Sequence, residues 1–247
     1  MNSKAQTLSG KDKFHLFLMV GQSNMAGRGV VDEQDRIPHP RVLMLDQQQQ
    51  WVPAVEPTHF DKDCAGVSSG RVFGSILAEQ DNDITIGLIP CACGGSPIET
   101  WTPGSYHDQT DSNPYDDTII RAKYAQQYGT IKAILWHQGE GDCTQARAAV
   151  YEEKLIELLN RLRNELELPE DIPVIIGQLG HFYKAPWDDV VKQVDVALRK
   201  VSEQLENGAF VPSEGMSCNP DQVHFDAESQ REFGRRYAAA YLKLKRK

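Results

Sequence analysis

The chain of 247 residues (27.7 kDa) is long enough for one well-filled α/β domain and short for two. Its 40% hydrophobic and 25% charged residues exclude a disordered chain, and a formal charge of -9 argues against a nucleic-acid partner, whose phosphates need a basic face. No apolar run approaches the roughly 20 residues of a membrane-spanning helix, so no membrane partner is expected.

The N-terminus is polar through Lys13, and Phe14 to Val20 is too short and wrongly flanked for a signal peptide, which predicts a cytoplasmic protein. That apolar run reads as the first buried strand, followed at once by Gly21-Gln22-Ser23-Asn24-Met25-Ala26-Gly27. Val42 to Leu45 is the second strand, and about 46–69 lacks periodicity. A short helix is expected at about 70–80, then a third strand at Ile84 to Pro90. The Gly- and Pro-rich stretch at about 91–115 is aperiodic, and a helix follows at about 116–127. Ile131 to Trp136 and Val174 to Leu179 are the fourth and fifth strands. Tyr151, Leu155, Leu158, Leu162 and Leu166 mark one amphipathic helix. Val190, Val191, Val194, Leu198, Val201 and Leu205 mark a second, and Phe233, Tyr237 and Tyr241 a C-terminal third.

Alternating strands and helices with continuously apolar strands imply a parallel sheet covered on both faces. The expected fold is a single α/β domain over 1–247, a doubly wound, flavodoxin-like three-layer sandwich. Its central sheet would be parallel and five-stranded, in the order 2-1-3-4-5. Both aperiodic segments follow strands and belong on the ligand-binding rim. Five cysteines without framework spacing favour reduced thiols, and Cys91-Ala92-Cys93 lacks both the spacing and the second pair of a zinc site, so no metal is expected.

Ser23 stands at a strand's carboxyl end, where open α/β sheets bind ligands. A serine becomes a nucleophile only with a base, and Asp221-Gln222-Val223-His224 supplies one together with its acid. Ser23 follows the first strand, Gly94-Gly95-Ser96 the third and His137-Gln138-Gly139-Glu140 the fourth, while His224 precedes the last helix. These segments converge on one edge of a doubly wound sheet. For the developing oxyanion, the N–H groups of Ser23 and Gly95 and the side-chain amide of Gln138 are the natural donors. The acid that orients His224 is either Asp221, by spacing, or Glu140, which lies beside Gln138. Gln22 and Asn24 flank the serine as candidate substrate contacts. Trp101 is either core or a pocket wall on which a sugar ring stacks, and Arg71 either a substrate contact or a surface charge.

GQSNMAG, CGGSPIETW (Cys93 to Trp101), WHQGEGD (Trp136 to Asp142) and DQVHFD (Asp221 to Asp226) resemble the four motif regions of SGNH-type acetylesterases, most nearly carbohydrate esterase family six and the sialate O-acetylesterase domain. The resemblance spans residues 21 to 226 in the expected order. It implies the same fold, no metal or other cofactor, and hydrolysis of acetyl esters on carbohydrates such as acetylxylan. It further implies Ser23 as nucleophile, His224 as base, and Ser23, Gly95 and Gln138 as oxyanion donors. Two positions depart from the family pattern: Gly141 stands where serine is usual, and Gln222 where glycine is common.

A sialate O-acetylesterase and a catalytically silent carbohydrate-binding protein of the same fold are the alternatives. The net charge of -9 disfavours large anionic polymers as substrates. An α/β-hydrolase nucleophile elbow is rejected because Met25 occupies its final glycine position. A phosphate-binding protein is rejected because no G-x-G-x-x-G or Walker pattern follows any strand.

Overall fold

The computed structural model describes residues 9–246. Residues 1–8, on which part of the expectation of a leaderless polar start rests, lie outside it. In chain order the elements are β1 (Phe14–Gly21), α1 (Ser23–Ala26), β2 (Val42–Leu45), β3 (Trp51–Pro53), α2 (Gly70–Gln80), β4 (Thr85–Pro90) and α3 (Pro114–Ala125). There follow β5 (Thr130–His137), α4 (Gln145–Ala148), α5 (Tyr151–Glu165), β6 (Val174–Gly177), α6 (Asp189–Gln204), β7 (Gly208–Val211) and α7 (Ala227–Leu244).

These elements form a three-layer α/β sandwich around one sheet of seven strands, ordered β3-β2-β4-β1-β5-β6-β7. All neighbours are parallel except β3, which runs antiparallel to β2. Two strands therefore join the five expected. The three residues of β3 end in Pro53, and β7 begins on Gly208, so neither presents an apolar run long enough to read in the sequence.

The strand order also differs. Counting only the five expected strands it is 2-3-1-4-5, not 2-1-3-4-5, because β4 lies between β2 and β1. The cause is backbone satisfaction. β1 is eight residues long and almost wholly buried, so its N–H and C=O groups need partners along both sides. β4 pairs with it from Phe14 to Met19 and β5 from His15 to Gly21. The four residues of β2 pair with only three of β4, and would leave much of β1 unpaired in the central place.

Successive residues of β1 serve opposite layers, as a period of two requires. Leu16, Leu18 and Val20 pack with Leu155, Leu158 and Leu162 of α5 and Val191, Val194 and Leu198 of α6. Phe17 and Met19 pack on the other face with Phe73 and Leu77 of α2 and Phe233, Tyr237 and Tyr241 of α7. The carboxyl ends of β1, β4 and β5 lie side by side, with Met19 opposite Pro90 and Gly21 opposite His137. Among the described residues, no helix is long and apolar enough to cross a membrane.

Candidate active site

Gly21 ends β1 at φ 135°, and a Cβ there would lie 2.1 Å from the carbonyl oxygen of His137. Only glycine permits that approach, and it turns the chain directly into α1. Ser23 is the first residue of this single helical turn, so its N–H has no intrahelical acceptor. Its side chain is nearly buried at the sheet edge, and its Oγ lies 2.8 Å from Nε2 of His224.

His224 comes from the loop before α7, and several bonds set that loop. Asn219 N–H donates to the His224 carbonyl at 2.8 Å, and the Asn219 amide donates to the Arg28 carbonyl at 2.8 Å. Asp226 then caps α7 by accepting from Ser229 N–H at 2.8 Å. Within the turn, Asp221 Oδ1 accepts from the N–H groups of Val223 (2.8 Å) and His224 (3.0 Å), while Oδ2 lies 2.8 Å from His224 Nδ1. Burial raises the Asp221 carboxyl, but the bonds from the His224 ring and the two N–H groups outweigh it and hold the group below its ordinary range. Gln222 adopts φ 55° in this turn, the left-handed region that favours glycine. The departure noted at this position therefore leaves the Asp221–His224 contact intact, at the expense of local strain.

Asp221, not Glu140, is the acid at the His224 ring. Glu140 is buried and accepts instead from the Asn24 amide nitrogen. Asn24 is a clamp: its Nδ2 also reaches the Val223 carbonyl at 3.1 Å, and its Oδ1 accepts from Phe225 N–H at 3.1 Å. It thus grips the backbone on both sides of His224. Burial pushes the Glu140 carboxyl up to about 6 against the pull of the Asn24 bond. The expectation that Asn24 contacts substrate is therefore corrected to a role in holding the histidine loop.

The oxyanion donors also differ from expectation. Gln138 is fully buried with its amide spent: Nε2 donates to the Ser96 carbonyl at 3.1 Å and to Asp142 Oδ2, and Oε1 accepts from Tyr151 OH at 2.7 Å. No donor remains for a substrate. His137 and Gln138 leave β5 on opposite sides, the histidine toward Phe225 and Phe233 and the glutamine toward α5. The free amide belongs to Gln22. Its Oε1 accepts from Gly141 N–H at 3.1 Å and Gly139 N–H at 3.5 Å, which fixes which end is nitrogen. Nε2 has no protein acceptor among the described residues, and Gln22 lines the same pocket as Ser23 and Gly95. Gly95 sits at φ 84°, and its N–H likewise donates to no described residue.

Two further expectations are corrected. Trp101 has no exposed surface: it packs edge-on against Trp136 with centroids 5.3 Å apart and donates to Ser96 Oγ at 3.0 Å. It is core, not a pocket wall. Arg71 donates to Asp35 Oδ1 and the Ile37 carbonyl, both at 3.3 Å, and lines no part of the serine pocket.

The pocket itself is open and has a volume of about 600 Å³. Besides Ser23, His224, Gly95 and Gln22 it is lined by Arg28, Lys62, Gln109, Tyr183 and Lys184. A nucleophile with a base at Nε2, an acid at Nδ1 and unspent N–H donors beside it is a constellation able to attack an acyl carbonyl and hold the resulting oxyanion. Fold and site together define the class: a three-layer α/β sandwich with a serine–histidine–aspartate row at the strand carboxyl ends.

The model of the family described as carbohydrate esterase, sialic acid-specific acetylesterase, matches residues 13–243. A probable carbohydrate esterase of Arabidopsis thaliana is 32% identical over 92% of this chain and 90% of its own length. A crystal structure of an Arabidopsis thaliana protein is similar at TM-score 0.81 and 29% identity, over 93% of this chain and 98% of that one. A carbohydrate acetylesterase from Xanthomonas citri shares the fold at TM-score 0.72 and 20% identity, over 94% of this chain and 56% of that longer one. The chain belongs to the carbohydrate esterase family of sialic acid-specific acetylesterases.

Proposed function

We propose that the protein is a serine esterase that removes O-acetyl groups from carbohydrates, such as acetylxylan or acetylated oligosaccharides, through an acetyl-serine intermediate. The observation that carries this reading is the row Asp221–His224–Ser23, with both contacts at 2.8 Å, opening into a pocket beside free N–H donors. Family membership supplies the ester and the sugar.

His224 Nε2 takes the Ser23 proton as Oγ forms a bond to the acetyl carbon. The carbonyl oxygen becomes an oxyanion held by Ser23 N–H, Gly95 N–H and Gln22 Nε2. Collapse breaks the ester bond, and the sugar oxygen leaves with the proton held on His224. Water then gives a proton to His224 as its oxygen attacks the acetyl-serine carbonyl. The second collapse returns that proton to Ser23 Oγ and frees acetate. Asp221 holds the ring with Nδ1 protonated and stabilises the imidazolium formed in each half.

One observation favours the sialate O-acetylesterase reading of the same chemistry. Lys62 donates to Gln109 Oε1 at 3.0 Å and Lys184 to the Cys143 carbonyl at 3.2 Å, so both pocket ammonium groups lean on neutral acceptors. Neither is paired with a carboxylate among the described residues. They leave positive charge for an acidic sugar.

Acetate release from 4-nitrophenyl acetate, acetylated xylo-oligosaccharide and O-acetylated sialic acid, measured from pH 5 to 8, tests the reading. The rate is expected to fall on the acid side of this range, because a base that already carries a proton cannot take one from Ser23. A fluorophosphonate is expected to attach to Ser23 with loss of fluoride and to abolish release. A rate flat across this range, or an adduct elsewhere, overturns the histidine–serine mechanism.

A further inference from the structure

A second cavity of about 310 Å³ lies one loop away from the serine pocket. The two share their walls. In the segment after β3, Phe60 and Asp61 face the second cavity while Lys62 and Cys64 face the first. In the segment before α3, Thr110, Asp111 and Ser112 face the second and Gln109 the first. At the end of β4, Cys93 lines the second and Gly94 and Gly95 the first. The ridge between the cavities is the Lys62–Gln109 hydrogen bond of 3.0 Å, with Asp61 anchored beneath it by Arg28 and Gly94 N–H.

The chemistry of the second cavity is selective. Its apolar wall is Phe60 and Ile120, which are 39% and 57% exposed and so leave apolar surface open to a ligand. Its polar rim carries the side-chain amides of Gln47 and Gln49, which bond to no described residue, and the carboxylates of Asp111 and Asp117. Arg121 lies under Phe60, with its guanidinium centre 4.7 Å from the ring. That cation is buried and donates from Nε, Nη1 and Nη2 to the carbonyls of Pro90, Asp46 and Leu45, so most of its donors are turned to the backbone and not to a ligand. A phosphate or carboxylate would meet two acids and a cation turned mostly to the backbone. A neutral ring with an apolar face and several hydroxyl donors matches both wall and rim, and the volume is at the small end of ligand sites, about 300–1,000 Å³.

We propose that this cavity is a distal subsite for a neutral sugar residue of the same chain whose acetyl ester reaches Ser23, so that the enzyme prefers acetylated oligosaccharides to single acetylated sugars. The inference rests on the esterase reading above and narrows its substrate. The glycan crosses the Lys62–Gln109 ridge, lays one pyranose face on Phe60 and Ile120, and donates hydroxyl hydrogens to Asp111, Asp117 and the two glutamine amides. Binding there anchors the substrate without touching the reacting atoms, so its contribution appears in KM.

The test compares kcat/KM for acetate release from 4-nitrophenyl acetate, acetylated methyl xyloside, acetylated xylotetraose and acetylated cellotetraose, in wild type, Phe60→Ala and Gln49→Ala. For wild type, at least one tetrasaccharide is expected to exceed the single ring by about tenfold or more, mostly through KM, as one buried ring contact allows. Phe60→Ala is expected to erase most of that gain and Gln49→Ala part of it, with 4-nitrophenyl acetate unchanged. Equal rates on one ring and four, or a gain that survives both substitutions, overturn the subsite. Turnover of 4-nitrophenyl acetate alone also overturns it while leaving the esterase reading in place. Absence of Ser23-dependent turnover of every ester removes the esterase reading first.

Discussion

Ser23→Ala and His224→Ala are each expected to lower kcat for acetate release from 4-nitrophenyl acetate by about 10⁴- to 10⁶-fold, and the double variant to fall little further. In the proposed mechanism Oγ and Nε2, 2.8 Å apart, act as one unit, because the ring takes the proton as the oxygen bonds to carbon. Removing either ends the same step, so the losses do not add. What remains comes from the pocket and its N–H donors. Asp221→Asn follows at about 10²- to 10⁴-fold, because a carboxamide opposite Nδ1 favours the wrong tautomer. The lower end applies if water takes over part of the role, since the Asp221 side chain is 46% exposed. Glu140→Gln keeps every atom of that row and weakens only the clamp through Asn24, so about tenfold is expected. Steady-state rates of these variants decide the matter. If Glu140→Gln alone abolished turnover while Asp221→Asn stayed active, the geometry would have been assigned to the wrong carboxylate.

The parts of this molecule legible in the sequence are those set by local pattern. Five strands and five helices follow from apolar runs and 3.6-residue spacing. The helix expected at 70–80 is Gly70–Gln80, and that expected at 116–127 is Pro114–Ala125, begun by a proline at its first position. The meeting of Ser23, His224 and Asp221 was also legible, because segments that follow or precede elements of a doubly wound sheet converge on one edge of it. Strand order was not, because it depends on how much backbone each strand must pair, a property of the assembled sheet. β3 and β7 were not, because edge strands of three or four residues carry too few side chains to show a period.

Side-chain destinations were least legible. Trp101 sits in a loop whose composition suits a pocket and Arg71 in the first turn of α2, yet Trp136 and Asp35 wait inside for them. Asn24 follows the nucleophile and looks like a substrate contact. Its partners Glu140, Val223 and Phe225 are 116 or more residues away in sequence, so nothing local shows that its amide is already spent. One signal was present for Gln138. It follows a strand that packs near the helix beginning at Tyr151, and His137 beside it takes the opposite side. Alternation that sends His137 away from the serine face of the turn does not by itself bring Gln138 toward it.

Gln22→Ala is expected to lower kcat by about 10²- to 10³-fold with little change in KM, whereas Gln138→Ala lowers stability first. The Gln22 amide has its oxygen held by Gly141 and Gly139 and its nitrogen unspent, the state required of a donor that waits for charge to develop. Gln138 has no such reserve. Its loss takes a donor from the buried Ser96 carbonyl and leaves Tyr151 OH to the Gln138 carbonyl and Asp142 Oδ2 to Ile98 N–H, which costs about 1–3 kcal/mol, or about 2–12 °C in Tm for a chain of this size. Alanine at 22 also removes the acceptor for the two glycine N–H groups, so a fall in rate alone would not separate oxyanion binding from support of the 139–142 turn. Gln22→Glu separates them. The carboxylate still accepts from Gly141 N–H, but it places an acceptor and a negative charge where the donor stood. A variant that keeps its Tm yet loses more activity than Gln22→Ala identifies Nε2 as the group that meets the oxyanion. If Gln22→Glu instead restores activity lost in Gln22→Ala, the side chain serves the turn only, and the oxyanion rests on the two backbone N–H groups.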